Sequence, residues 1–141
     1  MTTKVALTFT EITRRLKATV LPPVDLVVGI GRGGVVPASL AAYQLDAPLH
    51  IMRVSYRDDD NQPLYDTPHI LSDPALPPGR LRILLVDDVC VSGRTMQAAK
   101  QALAGHDITT LVCKGRGDFV LFPEVGECVL WPWHPAPTEA D

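Results

Sequence analysis

Two adjacent carboxylates, Asp87 and Asp88, end an apolar run from Ile83 to Val86. Val89-Cys90-Val91 and a small polar turn, Ser92-Gly93-Arg94-Thr95, come next. A helical pattern then starts, with Met96, Ala99 and Leu103 at i, i+3 and i+7. Strand, acidic edge, glycine turn and helix are the parts from which an α/β protein builds an anion site at the carboxyl end of a parallel strand. Amides of such a turn, and of the first helical turn, lack intrahelical acceptors and can face an anion. Gly93 can take the positive φ that brings the main chain close to a ligand, while Ser92 and Thr95 add hydroxyls. Two carboxylates beside an anion would repel it unless the ligand also carried hydroxyls, a divalent cation, or both. A phosphorylated ribose with Mg²⁺ meets that demand. A buried strand with an acidic N-cap is the usual account of a lone Asp-Asp pair, but the full succession is far more specific.

A second glycine loop, Gly29-Ile30-Gly31-Arg32-Gly33-Gly34, follows another short apolar run that begins at Asp25. It precedes a helical pattern with Val36, Leu40 and Tyr43 on one face. The spacing loosely satisfies G-x-G-x-x-G. A dinucleotide fold would require an acidic residue closing the next strand, and that strand ends in Ser55-Tyr56 instead. A loop offering backbone N–H groups and one guanidinium suits a pyrophosphate better.

These loops need strands and helices to carry them, and the chain supplies both in alternation. Phe9, Ile12, Leu16 and Val20 recur at helical spacing, with Thr10 and Glu11 near the start and Pro22-Pro23 as the stop. Strands are expected from Asp25 to Ile30, Pro48 to Ser55, Ile108 to Cys113 and Cys128 to Trp133. Between Tyr56 and Gly79 lies a segment with little apolar content and a charged tip, Arg57-Asp58-Asp59-Asp60-Asn61-Gln62. Its length without regular structure suggests a lid or an insertion. The 141 residues read as one α/β domain spanning 1–141.

Charged residues make up 21% of the chain and the formal net charge is −3, which argues against a nucleic-acid partner. No apolar run reaches membrane-spanning length and the N-terminus lacks a signal-peptide pattern, so a cytoplasmic location is expected. Cys90, Cys113 and Cys128 are odd in number and sit in apolar runs, which favours reduced core thiols. His50, His69, His106 and His134 show no ligand spacing.

Val86 to Thr95 resembles the phosphoribosyl-pyrophosphate (PRPP) binding motif of the type I phosphoribosyltransferases. Arg32-Gly33-Gly34 resembles the pyrophosphate loop of the purine enzymes, and Trp131-Pro132-Trp133 the Pro-Trp ending of the base-binding hood in bacterial xanthine–guanine phosphoribosyltransferase. Ser55-Tyr56 and Asp60-Asn61-Gln62 add to the likeness. The resemblance implies a central, mainly parallel twisted sheet flanked by helices, a flexible lid over about 56–79 and a small hood over about 128–141. It implies Mg²⁺-dependent transfer of ribose 5-phosphate from PRPP to a nucleobase, a 6-oxopurine, by a homo-oligomer (dimer or tetramer). By the same resemblance Asp87 and Asp88 hold the ribose hydroxyls and the metal. Val91, Ser92, Gly93, Arg94 and Thr95 take the 5-phosphate, and Arg32, Gly33 and Gly34 take pyrophosphate. Lys114, Val129 and Trp133 contact the base. A cis bond is expected at Gly31–Arg32.

Two positions depart from the pattern. The stacking aromatic expected a few residues before Pro132-Trp133 falls on Cys128, and Trp131 could replace it only through a register change; with the chain stopping at Asp141 the hood is expected to be short. Where the oxopurine enzymes place an aspartate facing N7 of the purine stands Val91, as apolar residues do in the adenine and orotate enzymes. The base then arrives anionic, or Asp58, Asp59 or Asp60 serves as proton partner, or the base is not hypoxanthine or guanine. A PRPP-sensing regulator and a phosphoribosyl-handling enzyme outside base salvage remain the alternatives.

Overall fold

The computed structural model describes residues 4–55, 69–72 and 75–134. In order, the elements are β1 (Lys4–Ala6), α1 (Phe9–Ala18), β2 (Leu26–Ile30), α2 (Val35–Leu45), β3 (Leu49–Ser55) and β4 (His69–Ser72). Then come β5 (Arg82–Cys90), α3 (Arg94–Ala102), β6 (Asp107–Gly115), β7 (Phe119–Val120) and β8 (Cys128–Leu130). Six strands form one sheet in the order β4-β3-β2-β5-β6-β7. Every pairing in it is parallel except β3 with β4. The expected central, mainly parallel sheet flanked by helices is therefore present. A parallel strand pair needs a crossover, and α2 and α3 supply two of them.

The central strands read as unbroken apolar runs because both faces are covered. On one face Val27, Leu84, Val86 and Leu111 pack with Ile12 and Leu16 of α1, Ala38 and Ala41 of α2, and Trp131. On the other Val28, Ile83, Leu85 and Val112 pack with Met96 and Ala99 of α3 and with Leu103. Asp25 lies just before β2 rather than in it. Its carboxylate accepts from the Arg82 main chain at 2.8 Å and the Arg82 guanidinium at 2.9 Å. That guanidinium draws the Asp25 pKa down to about 2.

Four expectations change. Helix α1 begins under a Thr8 cap, whose hydroxyl accepts from the Glu11 N–H at 3.1 Å, and ends at Ala18. Val20 therefore falls outside it and is exposed. Helix α2 buries Pro37, Ala38, Ala41 and Ala42 most deeply; Leu40 packs against the core only in part, and Tyr43 is exposed. Its approach to β2 is too close for larger side chains: a Cβ on Gly29 would lie 2.7 Å from the Ala38 Cβ. The segment from Tyr56 to Gly79 contains β4, which pairs with β3 and packs Ile70 against the core. The rest of the expected lid tip, including Asp58, Asp59, Asp60, Asn61 and Gln62, lies outside the described residues. Finally Cys128 is exposed, whereas Cys90 and Cys113 are buried as expected.

The hood is small and tied to the start of the chain. Strand β8 pairs in parallel with β1, matching Lys4 to Cys128, Val5 to Val129 and Ala6 to Leu130. It stops at Leu130, so Trp131, Pro132 and Trp133 lie beyond the strand.

Candidate functional site

Strand β5 continues past its apolar run to Cys90, so the acid pair lies inside the strand and not beyond its end. Asp87 Oδ1 accepts from the Asp88 N–H at 2.8 Å, and Asp88 Oδ1 accepts from the Val89 N–H at 2.7 Å. Burial pushes the Asp87 carboxyl well above the usual carboxylate range, and the neighbouring Asp88 charge adds to the rise. The same surroundings act on the thiols. Burial, then the Asp88 and Asp87 charges, raise Cys113 to about 12. Burial, followed by the Asp87 charge, raises Cys90. This is a poorly solvated, negative locality in which a cation or hydroxyl donors would be favoured.

The turn after β5 is shaped by Gly93, at φ +83°, which caps α3. The Ser92 hydroxyl accepts from the Arg94 N–H at 3.3 Å. A cleft of about 640 Å³ opens here. Asp87, Asp88, Val91, Ser92, Gly93 and Thr95 line one side, and Trp131 and His134 line the other. The glycine loop between β2 and α2 abuts the same acids. A Cβ on Gly33 would lie 2.5 Å from both Asp88 carboxylate oxygens, and one on Gly34 would lie 2.6 Å from the Val86 carbonyl oxygen. The expected cis bond at Gly31–Arg32 is absent, since all described peptide bonds are trans. Gly31 makes the reversal instead by a positive φ of 53°. The loop closes with the Gly34 N–H donating to the Ile30 carbonyl at 3.0 Å.

The acid pair, Val91, Ser92, Gly93 and Thr95 thus come together with Gly33 against Asp88, but the expected Arg94, Arg32 and base contacts are not among the residues lining the cleft. Lys114 stands at the end of β6, with its Nζ donating to the Glu127 carbonyl at 2.6 Å. Val129 packs against the core from β8. Trp133 lies behind Trp131, ring centroids 5.3 Å apart and planes within 5°, and 6.3 Å from Phe9. Its Nε1 is buried with no partner among the described residues.

Trp131 and His134 take the cleft wall instead. His134 Nε2 sits 3.8 Å from Asp88 Oδ2. Sequence reasoning missed this histidine because nothing in its local spacing links it to the acid pair. The β1–β8 pairing and the packing of Trp131 and Trp133 against the core bring it there.

Among the described residues no cluster of three or more His, Cys, Asp or Glu side chains could hold a metal ion. Asp87 and Asp88 do supply two hard carboxylates in a cleft. Mg²⁺ is commonly held by one or two carboxylates, with substrate oxygens and water completing its shell. The donor set fits Mg²⁺ arriving with a substrate.

A family model described as "Phosphoribosyl transferase domain" matches residues 11–131. In structure the chain is similar to the purine phosphoribosyltransferase from Pyrococcus horikoshii Ot3, with TM-score 0.77, 22% identity, and coverage of 96% of this chain and 97% of that one. It is also similar to a hypothetical protein from Neisseria gonorrhoeae with bound ppGpp, with TM-score 0.63, 22% identity and coverage of 96% and 91%. The xanthine-guanine-hypoxanthine phosphoribosyltransferase of Helicobacter pylori gives TM-score 0.69, 14% identity and coverage of 93% and 94%. At these identities the likeness is one of fold. Curated protein sequences give no significant match.

Proposed function

Because the chain belongs to the phosphoribosyl transferase domain family, we propose that it moves ribose 5-phosphate from PRPP to a nitrogen of a nucleobase, a 6-oxopurine, releasing pyrophosphate with Mg²⁺ as the accompanying cation. One observation carries this reading: the acid pair and the glycine-led start of α3 line a single cleft, and Gly33 packs against the Asp88 carboxylate. Amides and hydroxyls of Ser92 to Thr95 suit the 5-phosphate. Asp87 and Asp88 suit the ribose hydroxyls, and Gly33 with its neighbours Arg32 and Gly34 suits the pyrophosphate. Asp87 and Asp88 would hold Mg²⁺, which when bound neutralises charge on the departing pyrophosphate.

Bond breaking at the anomeric carbon leaves positive charge on the ribose ring. Two carboxylates fixed in a poorly solvated site favour that charge without reorganising. The pyrophosphate leaves toward the Gly33 loop and the base nitrogen attacks from the side of Trp131. Trp131, backed by Trp133 at 5.3 Å, offers the base a rigid apolar wall. The Lys114 ammonium, with one of its three donors on the Glu127 carbonyl, keeps donors for an exocyclic oxygen that its side chain can reach.

The test is pyrophosphate release from PRPP and Mg²⁺ across a panel of bases. Val91 sets the expected ranking, because valine neither accepts nor donates a proton. Xanthine, which ionises more readily, should exceed hypoxanthine, and Val91→Asp should raise hypoxanthine kcat/KM selectively. The scale is roughly 10²- to 10⁴-fold for acid–base help, less if Asp87 and Asp88 keep the new carboxyl protonated. PRPP binding without pyrophosphate release from any base would replace the enzyme reading with a sensor.

A further inference from the structure

The loop after β6 grips the anion turn from outside the cleft. Gly115, at φ +105°, has no room for a side chain, since a Cβ there would lie 2.0 Å from the Cys90 carbonyl oxygen. That closeness lets the Arg116 N–H donate to the Cys90 carbonyl at 2.9 Å. The Arg116 guanidinium then reaches the next carbonyl, with Nε 3.2 Å and Nη2 2.7 Å from the Val91 oxygen. Two successive carbonyls at the end of β5 are therefore held by one residue. The loop behind it is anchored in turn. The Asp118 carboxylate accepts from the Thr110 N–H at 2.9 Å, and the Thr110 hydroxyl accepts from the Asp118 N–H at 2.8 Å.

We propose that Arg116 is a positioning residue for the 5-phosphate: by holding the Val91 carbonyl it fixes the Ser92 amide toward the cleft. This rests on the reading that the 92–95 turn takes the 5-phosphate. A trans peptide is planar, so the Ser92 N–H points opposite to the Val91 C=O. Pinning the oxygen on the β6 side aims that hydrogen at the anion. Left unpinned, this peptide could rotate about the Val91 ψ and Ser92 φ bonds and present its carbonyl to the phosphate, reversing attraction into repulsion. Arg116 does not line the cleft and acts through Val91. Among the described residues its guanidinium meets no carboxylate, so its charge also adds to the field that draws an anion.

A mere staple between strands would have a different signature. β5 and β6 are already paired from Arg82 with Asp107 to Cys90 with Gly115, so the Arg116 side chain adds little to their ladder. The test is calorimetric binding of ribose 5-phosphate and, separately, of Mg²⁺–pyrophosphate to the wild-type protein, Arg116→Met and Arg116→Lys. Arg116→Met should weaken ribose 5-phosphate by about tenfold or more, the scale of one lost charge-assisted hydrogen bond. Pyrophosphate affinity and melting temperature should hold. Arg116→Lys, which keeps a cation but not the two-nitrogen grip on the Val91 carbonyl, should recover only part of the loss.

Unchanged ribose 5-phosphate binding in Arg116→Met would overturn the proposal. So would a parallel loss of both ligands with a falling melting temperature. If Arg116→Met does not fold, Arg116→Lys decides: a deficit confined to ribose 5-phosphate supports the role, and no deficit overturns it. A wild-type protein that binds no ribose 5-phosphate refutes the site reading itself, before any variant is made.

Discussion

Asp87 is a carboxylate held where its charge is unwelcome, and that has a measurable sign. Its unfolded pKa lies near ~3.9, and burial with the Asp88 charge puts the folded value well above that range. Between the two values the folded chain keeps a proton that the unfolded chain has lost. Stability therefore falls as pH rises through that window, and stays lower above it. Asp87→Asn should flatten this slope and raise the melting temperature at neutral pH, while cutting turnover by roughly 10²-fold or more. Thermal melts between about pH 4 and 8, run beside pyrophosphate-release assays, would show both effects.

Asp88→Asn should lower turnover on the same scale without lowering stability, because it removes the second cause of the Asp87 shift. A variant that simply unfolds would point to a structural role for the pair. The pair, the glycine turn and Arg32-Gly33-Gly34 could be picked out from their order alone, since strand, turn chemistry and helix start are local features. His134 could not, and Trp131 could be read only as a stacking aromatic that a register change would allow. Their places in the cleft depend on how the hood folds back, which no local pattern encodes.

At the scale of elements, helix α2 and strand β4 show where periodicity misleads. The pattern on α2 favours its large residues, yet the fully buried positions are Pro37 and alanines, with Leu40 packed only in part, because Ala38 meets Gly29 at a separation only small groups allow. Burial of a helix face follows what the sheet opposite leaves room for. β4 is four residues long, within a polar stretch, and gains its strand conformation from pairing with β3.

The same closeness makes a prediction at the meeting of the β2–α2 loop and β5. Gly33→Ala places a methyl group 2.5 Å from the Asp88 oxygens, so the loop or the acid pair must shift. Turnover should fall by more than about tenfold, with a stability cost of about 1–3 kcal/mol, the scale of overpacking. Gly126→Ala is the control, since a Cβ there meets nothing within 4 Å. Equal activity in the two variants would mean that the Gly33 loop does not abut the acid pair in the working enzyme.

Across the whole molecule, β1 meets the hood that carries the Trp131 wall where the base is proposed to bind. The hood hangs on β1 through β8 and on Phe9 against Trp133, and Arg15 holds the segment that leads into it, its guanidinium pairing with Glu124 and donating to the Leu121 carbonyl at 2.8 Å. The six-stranded sheet, with the acid pair and the anion turn, does not include β1 or β8. Three residues, Lys4 to Ala6, are too few for a strand pattern to register, so this tie was illegible in the sequence.

It predicts that the hood can be loosened without unfolding the sheet. Val5→Pro removes a ladder N–H opposite Val129 and should weaken β1–β8 pairing. Cooperative unfolding of the main sheet should persist, with a lower midpoint. Emission from Trp131 and Trp133, both partly or wholly buried against the core, should shift to the red as the stack gains water. Ribose 5-phosphate binding should change little, whereas KM for the base should rise about tenfold, the loss of roughly 1.4 kcal/mol of binding. A red shift with an unchanged base KM would show that the base is read elsewhere than at the Trp131 wall. Equal losses for base and ribose 5-phosphate would show that sheet and hood form one cooperative unit and not a scaffold with a separable cover.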